Sequence, residues 1–187
     1  MKKHIISLTG MPGAGKSATA KRVAATLGYR HFSTGDLFRS IGAERGLSVS
    51  ETNIAAETRS EIDKMVDAHS VAIGETEDNV VIDSRLAFHF IPQSFKIFLK
   101  LDPKVAASRI LKQLQEEGRI NQTASSLEEV EADTDLRFKS ERKRYTKLYN
   151  VDYTDISQFD LVVDTAVHPL EKVTDIIIEK YQEWLDR

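Results

Sequence analysis

Residues 10–17 read Gly-Met-Pro-Gly-Ala-Gly-Lys-Ser, and this octet restricts the chain to folds that set a glycine-rich turn between a buried strand and a helix. The flanks meet that demand. His4–Thr9 is a short, mostly apolar run ending at glycine, the pattern of a buried parallel strand. Lys16–Leu27 has helical spacing, with Ala20, Val23, Ala24 and Leu27 on one face and Gly28 as a stop signal. In such a loop, glycines let backbone N–H groups close around phosphate oxygens while the helix aims the positive end of its dipole at them. Gly10, Met11, Pro12, Gly13, Ala14, Gly15, Lys16, Ser17 and Ala18 are therefore the candidate phosphate cradle. Lys16 would reach the outer phosphates, and the Ser17 hydroxyl would be available to Mg²⁺.

Four more strand candidates follow, at Tyr29–Ser33, Asn79–Asp83, Phe95–Leu101 and Phe159–Asp164. Helical patterning fills the gaps, at about Asp36–Glu44, Ser50–Ile73, Pro103–Glu117, Leu127–Tyr149 and Leu170–Leu185. Strands that alternate with helices imply right-handed crossovers, hence an α/β class with a five-stranded parallel sheet covered on both faces. A length of 187 residues suits one domain. Two stretches exceed the simple alternation, the two helices before the third strand and the two long helices before the fifth, and both should project from the ligand-binding edge of the sheet.

Composition removes several classes of function. A formal net charge of −3 gives no nucleic-acid footprint. Apolar runs fall short of the ~20 residues needed to span a membrane, and the N-terminal stretch is too short for a secretory signal, so a cytoplasmic protein is expected. The count of zero cysteines excludes disulfides, thiolate catalysis and a cysteine-built zinc site. The five histidines show no metal-ligand spacing.

Asp83 ends the third strand candidate, where a carboxylate would sit beside Mg²⁺ in the manner of a Walker-B aspartate. Further along, Arg137, Glu141 and Arg144 occupy i, i+4 and i+7 on one helical edge, beside a stripe of Val130, Thr134, Phe138, Tyr145 and Tyr149 expected to be buried. Two arginines held by an intervening carboxylate can be presented to phosphate oxygens. The competing interpretation is an exposed ion-pair ladder of a few tenths of a kcal/mol.

The P-loop, Ser33-Thr-Gly-Asp-Leu-Phe-Arg39, Glu61-Ile-Asp63, Asp83-Ser-Arg-Leu-Ala87 and Arg137-Phe-Lys-Ser-Glu-Arg-Lys-Arg-Tyr145 together resemble the nucleoside monophosphate kinases, most closely the short, archaeal-type cytidylate kinases. The resemblance implies a three-layer P-loop kinase fold in a single domain, residues 1–187. It would carry a helical insertion for the monophosphate at about 35–75 and a lid at about 110–135. It implies ATP and Mg²⁺ as donor and cofactor, CMP or dCMP as acceptor, and a monomer.

By the same resemblance Thr34, Arg39, Asp63, Arg85, Arg137, Glu141 and Arg144 would contact the acceptor. Lys16, Arg85, Arg137 and Arg144 would carry catalysis, Ser17 and Asp83 the metal. Arg109 would lie against the donor base, and Arg119 would swing in with the lid. Three positions depart from the family pattern: Gln113 replaces a lid arginine, Ser84 replaces the glycine of an Asp-Gly-Arg turn, and Leu86 stands where longer bacterial relatives carry a base-reading aspartate. Other small-molecule P-loop kinases, acting on adenylate, shikimate or dephospho-coenzyme A, and a nucleotide-binding switch protein remain open at this point.

Overall fold

All six residues of the first strand, Ile5–Gly10, are buried, which requires helices on both sides of the sheet that contains it. The computed structural model describes residues 3–58, 60–117 and 126–187. Its strands are β1 (Ile5–Gly10), β2 (Arg30–Ser33), β3 (Val80–Asp83), β4 (Phe95–Lys100) and β5 (Leu161–Asp164). They form one parallel sheet in the order β2-β3-β1-β4-β5, with β1 at the centre.

Successive residues of β1 serve opposite faces, as a period of two demands. Ile6 and Leu8 join Val23 of α1 (Lys16–Leu27) and Ile177 and Tyr181 of α8 (Leu170–Leu185) in the larger core. Ile5 instead meets Ile82, Ile73 of α4 (Glu61–Thr76), and Ala87 of a short α5 (Ala87–Phe90) together with the adjoining Ile91.

Register then fixes the functional edge. Ser33 pairs with Asp83, Asp83 with Leu8, and Gly10 with Leu99, so the carboxyl ends of β1, β2 and β3 finish side by side. The connections leaving β1 and its neighbours diverge there, the place where open α/β sheets bind ligands. Two helical groups rise from that edge. One consists of α2 (Thr34–Glu44), α3 (Val49–Thr58) and α4; the other of α6 (Pro103–Glu117) and α7 (Leu127–Tyr149). The second group takes in the described parts of the expected lid, and residues 118–125, Arg119 among them, lie outside the described residues. No helix among the described residues is long and apolar enough to cross a membrane.

Three expectations are corrected. The single helix read over Ser50–Ile73 is two, α3 and α4. Its buried positions, Thr52, Asn53 and Ala56, then Asp63, Asp67 and Ser70, stay in helical phase across the break, so periodicity could not reveal it. The four-residue α5 and a 3₁₀ turn at Ile156–Gln158 were not anticipated, being too short to show a period. On α7 the expected burial is partly inverted: Val130, Glu141 and Arg144 are buried, while Thr134, Phe138, Tyr145 and Tyr149 are only half-buried. The ladder reading fails with it, because Glu141 and Arg144 have interior partners.

The contact between α2 and α3 offers a test of the packing. A Cβ on Gly42 would lie 2.2 Å from Thr52 Oγ1. Thr52 is buried and its hydroxyl donates to Ser48 O at 2.7 Å, so turning it aside would break that bond within the packed contact. Gly42→Ala gains about 1 kcal/mol of helix propensity but overpacks the contact, which typically costs about 1–3 kcal/mol. A net loss of about 1 kcal/mol is expected in chemical denaturation. On a Thr52→Ala background the same change should be neutral or stabilising.

Candidate functional site

The phosphate loop is held by its neighbours before any ligand arrives. Met11 N–H donates to Leu99 O at 3.0 Å, tying the loop to β4. A Cβ on Gly10 would lie 2.4 Å from that same carbonyl oxygen, so a side chain there would push the loop off the strand. Gly13 turns at φ 70°, a left-handed conformation that glycine adopts without penalty, and a Cβ there would lie 3.0 Å from the Ala106 backbone of α6. Lys16 is half-buried and its Nζ donates to Met11 O at 3.2 Å. Burial, reinforced by the positive charge of Arg85, lowers its amine to about 7. An ammonium held down in this way gains from an arriving anion.

Ser17 Oγ donates to Asp83 Oδ2 at 2.5 Å, joining the start of α1 to the end of β3. A hydroxyl and a carboxylate side by side are hard oxygen donors of the type that suits Mg²⁺. No cluster of three or more acidic, histidine or cysteine side chains that could hold a metal occurs among the described residues. A metal here would draw its other ligands from water and phosphate, as Mg²⁺ commonly does.

Across the same cleft stands a second set of charges. Arg85 donates from Nη1 to Gly10 O at 2.7 Å and from Nε to Glu141 Oε2 at 2.8 Å. Arg137 donates from Nε to the other oxygen of Glu141 at 3.0 Å, and Tyr153 OH adds a third donor at 3.2 Å. Burial by itself would raise the Glu141 carboxyl, but the charges of Arg85 and Arg137 overcome it and hold the group at about 2. The Arg85 guanidinium also lies 5.5 Å over the Tyr153 ring. One carboxylate therefore positions two guanidiniums from different elements, each with donors left for an anion.

Thr34 Oγ1 donates to Asp83 O at 3.2 Å at the start of α2, and Arg39 pairs with Asp36 on the exposed face of that helix. Arg144 points inward: it is 5% exposed, donates from Nε to Asp63 Oδ2 at 2.9 Å, and reaches Ser140 Oγ at 2.7 Å. Asp63 is thus spoken for by a guanidinium.

Lys16, Ser17, Thr34, Arg39, Asp63, Asp83, Arg85, Arg137, Glu141 and Arg144 line one cleft. Arg109 does not. Its guanidinium donates to Thr165 O at 2.7 Å, fastening α6 to the loop after β5.

Two departures from the family pattern acquire physical roles. Ser84 Oγ accepts from the N–H groups of Leu86 and Ala87 at 3.2 and 3.1 Å, closing the turn into α5. Leu86 is buried in an apolar cluster with Phe88, Val151 and Tyr153, away from the cleft lining. Cleft residues that the sequence reading did not single out include Asn53 and Asp67, both buried, and Phe38, while Tyr145, read there as a core position, also lines the cleft. The i, i+4 spacing of Asp63 and Asp67 was the available signal.

Glu141 makes the site sensitive to its own charge. Its carboxyl titrates at about 2 here against about 4 in an unfolded chain, a gap worth about 3 kcal/mol. That stability is fully present above pH ~4 and is lost as pH falls toward 2, because the depressed group must then accept a proton. Glu141→Gln should lower stability at pH 7 by about 3 kcal/mol, since it strands two guanidiniums. The difference from the wild type should shrink between pH 4 and 2 in urea unfolding.

Comparison with other proteins agrees with this geometry. A protein-family model described as AAA domain matches residues 6–135. A cytidylate kinase of Archaeoglobus fulgidus is 35% identical over 93% of this chain and 92% of its own length. Another from Methanothrix thermoacetophila is 38% identical over 87% of this chain and 88% of its own. Among solved structures, a shikimate kinase from Bacteroides thetaiotaomicron superposes with a TM-score of 0.62 over 98% of this chain and 99% of that one, at 17% identity, a likeness of fold. On the strength of the phosphate loop, the cleft beside it and this kinship, the chain belongs to the cytidylate kinase family of P-loop nucleoside monophosphate kinases.

Proposed function

We propose that the chain transfers the γ-phosphoryl group of ATP to CMP or dCMP. One observation carries this reading: Arg85 and Arg137 are held by Glu141 in the same cleft as Lys16 and Ser17, so a second anion has its own cations facing the phosphate loop.

Phosphoryl transfer depends on in-line placement and on neutralising charge that spreads over the transferred group. The backbone of Gly10–Ser17 would seat the donor phosphates, with Lys16 on the outer ones. Ser17 and Asp83 are suited to hold Mg²⁺, which when bound would offset the negative charge of the phosphates. Arg85, anchored on Gly10 O, would bring the acceptor phosphate against the loop, and Arg137 would share its charge. Arg39, on the exposed side of α2, would close over the acceptor phosphate by exchanging Asp36 for it. Arg144 would act through Asp63 and Asn53 at the inner end of the cleft. Arg109 would support the donor side by holding the loop after β5.

The test is a panel of nucleoside monophosphates, with shikimate and dephospho-coenzyme A as non-nucleotide acceptors, assayed with ATP and Mg²⁺. CMP or dCMP should be the best acceptor. Lys16→Ala should abolish turnover. Arg39→Ala should raise the KM for the monophosphate about 10- to 100-fold while leaving that for ATP nearly unchanged, the worth of one charge-assisted hydrogen bond. Turnover of no monophosphate at all would defeat the reading.

A further inference from the structure

The cleft is not uniformly cationic. Near the phosphate loop it presents Lys16, Arg85 and Arg137, whereas its inner end, between α3, α4 and α7, presents Asn53, Asp63 and Asp67. A nucleoside monophosphate seated with its phosphate at the cationic end directs its base to the inner one, where the charge of Arg144 is matched by Asp63. The two aspartates there, one helical turn apart, are held differently. Asp63 has the Arg144 guanidinium at 2.9 Å. Asp67 is 8% exposed, and the partner it has is a neutral donor, the Tyr149 hydroxyl, 2.6 Å from Oδ2. No ammonium or guanidinium pairs with Asp67 among the described residues.

The geometry points to Asp67 as the residue that reads the acceptor base, in its protonated form, as a donor and acceptor side by side. The inference rests on the acceptor being a pyrimidine monophosphate. A carboxylic acid offers one O–H and keeps acceptor capacity on its other oxygen. Oδ2, already accepting from Tyr149, has a second lone pair for an exocyclic amino N–H, while a proton on Oδ1 meets the ring nitrogen beside it. That pair matches cytosine, whose amino group donates and whose ring N3 accepts. Uracil reverses both, so a proton on Oδ1 would face its N3–H and Oδ2 would face its carbonyl oxygen; the ionised carboxylate, with acceptors only, matches half of either base and loses the distinction.

The surroundings favour the protonated form near neutrality. Burial, aided by the charge of Asp63 and opposed by the Tyr149 hydrogen bond, pushes the Asp67 carboxyl up to about 7. The groups around it are Asp63 on its own helix, Arg144, Tyr145 and Tyr149 on α7, Arg39 of α2 in the same cleft, and His89 of α5 against the Tyr149 ring. From α3 comes only the neutral Asn53.

The experiment measures KM and kcat for CMP and UMP at saturating ATP between pH 6 and 8.5, for the wild type, Asp67→Asn and Asp67→Leu. In the wild type, KM for CMP should rise about tenfold over the upper part of this range as the proton leaves, and preference for CMP over UMP should narrow. Asp67→Asn carries a permanent donor and acceptor of the same shape, so its KM for CMP should be nearly flat with pH. Asp67→Leu should raise KM for CMP at least tenfold at pH 6.5 and erase most of the preference. An Asp67→Asn profile that tracks the wild type, or a CMP preference that survives Asp67→Leu, would overturn the assignment. Should Asp67→Leu fail to fold, the isosteric Asn variant decides by its pH profile. Wild-type protein without CMP turnover would instead defeat the underlying functional reading, and this one with it.

Discussion

Glu141 is the side chain on which the site depends. A single buried carboxylate accepts from Arg85 at the end of β3, from Arg137 one turn earlier on α7, and from Tyr153 beyond that helix. Burying a charge is costly unless it is paired and hydrogen-bonded, and Glu141 meets that condition with three donors. The result is two guanidiniums fixed in orientation before any phosphate approaches. Anchoring Arg85 to Gly10 O then ties this cation set to the first residue of the phosphate loop, so the separation between the two is set by the protein.

The sheet supplies the frame for that arrangement. With β1 central and β3 beside it, the loop after β1 and the turn after β3 are neighbours by register, and Ser17 meets Asp83 across them. The helices beyond the sheet edge grade the cleft from a cationic end beside the phosphate loop to an inner end where Asp63 answers the charge of Arg144. Such a gradient can orient an asymmetric ligand, phosphate to one end and base to the other, through charge before contacts of shape are made.

How much of this was legible in the amino-acid order follows from how local each feature is. The octet at 10–17 is contiguous and its neighbours are a strand and a helix, so its chemistry could be read directly. Asp83 was legible because strand ends place side chains at the functional edge. Spacing alone could not separate Glu141 and Arg144 as site residues from members of a solvated ladder, because charged residues are seldom buried and the partners that bury these two lie 56 and 81 residues earlier in the chain. The same is true of Arg109, whose carbonyl partner is 56 residues away. Asp67 was overlooked for a related reason: four residues from Asp63, it has the spacing of an ordinary polar helix face, and only packing against α7 makes it interior. The break between α3 and α4 was invisible because the buried positions keep step across it.

Helix α7 extends over 23 residues, about 34 Å at 1.5 Å per residue, and packs on both α6 and α3. It carries Arg137 and Glu141 toward the phosphate loop, and Arg144 and Tyr149 toward α4. A single rod in contact with both ends of the cleft makes them two pans of one balance. Whatever ordering the first substrate imposes on the rod need not be imposed again by the second, and thermodynamic reciprocity makes that assistance equal in either order of arrival.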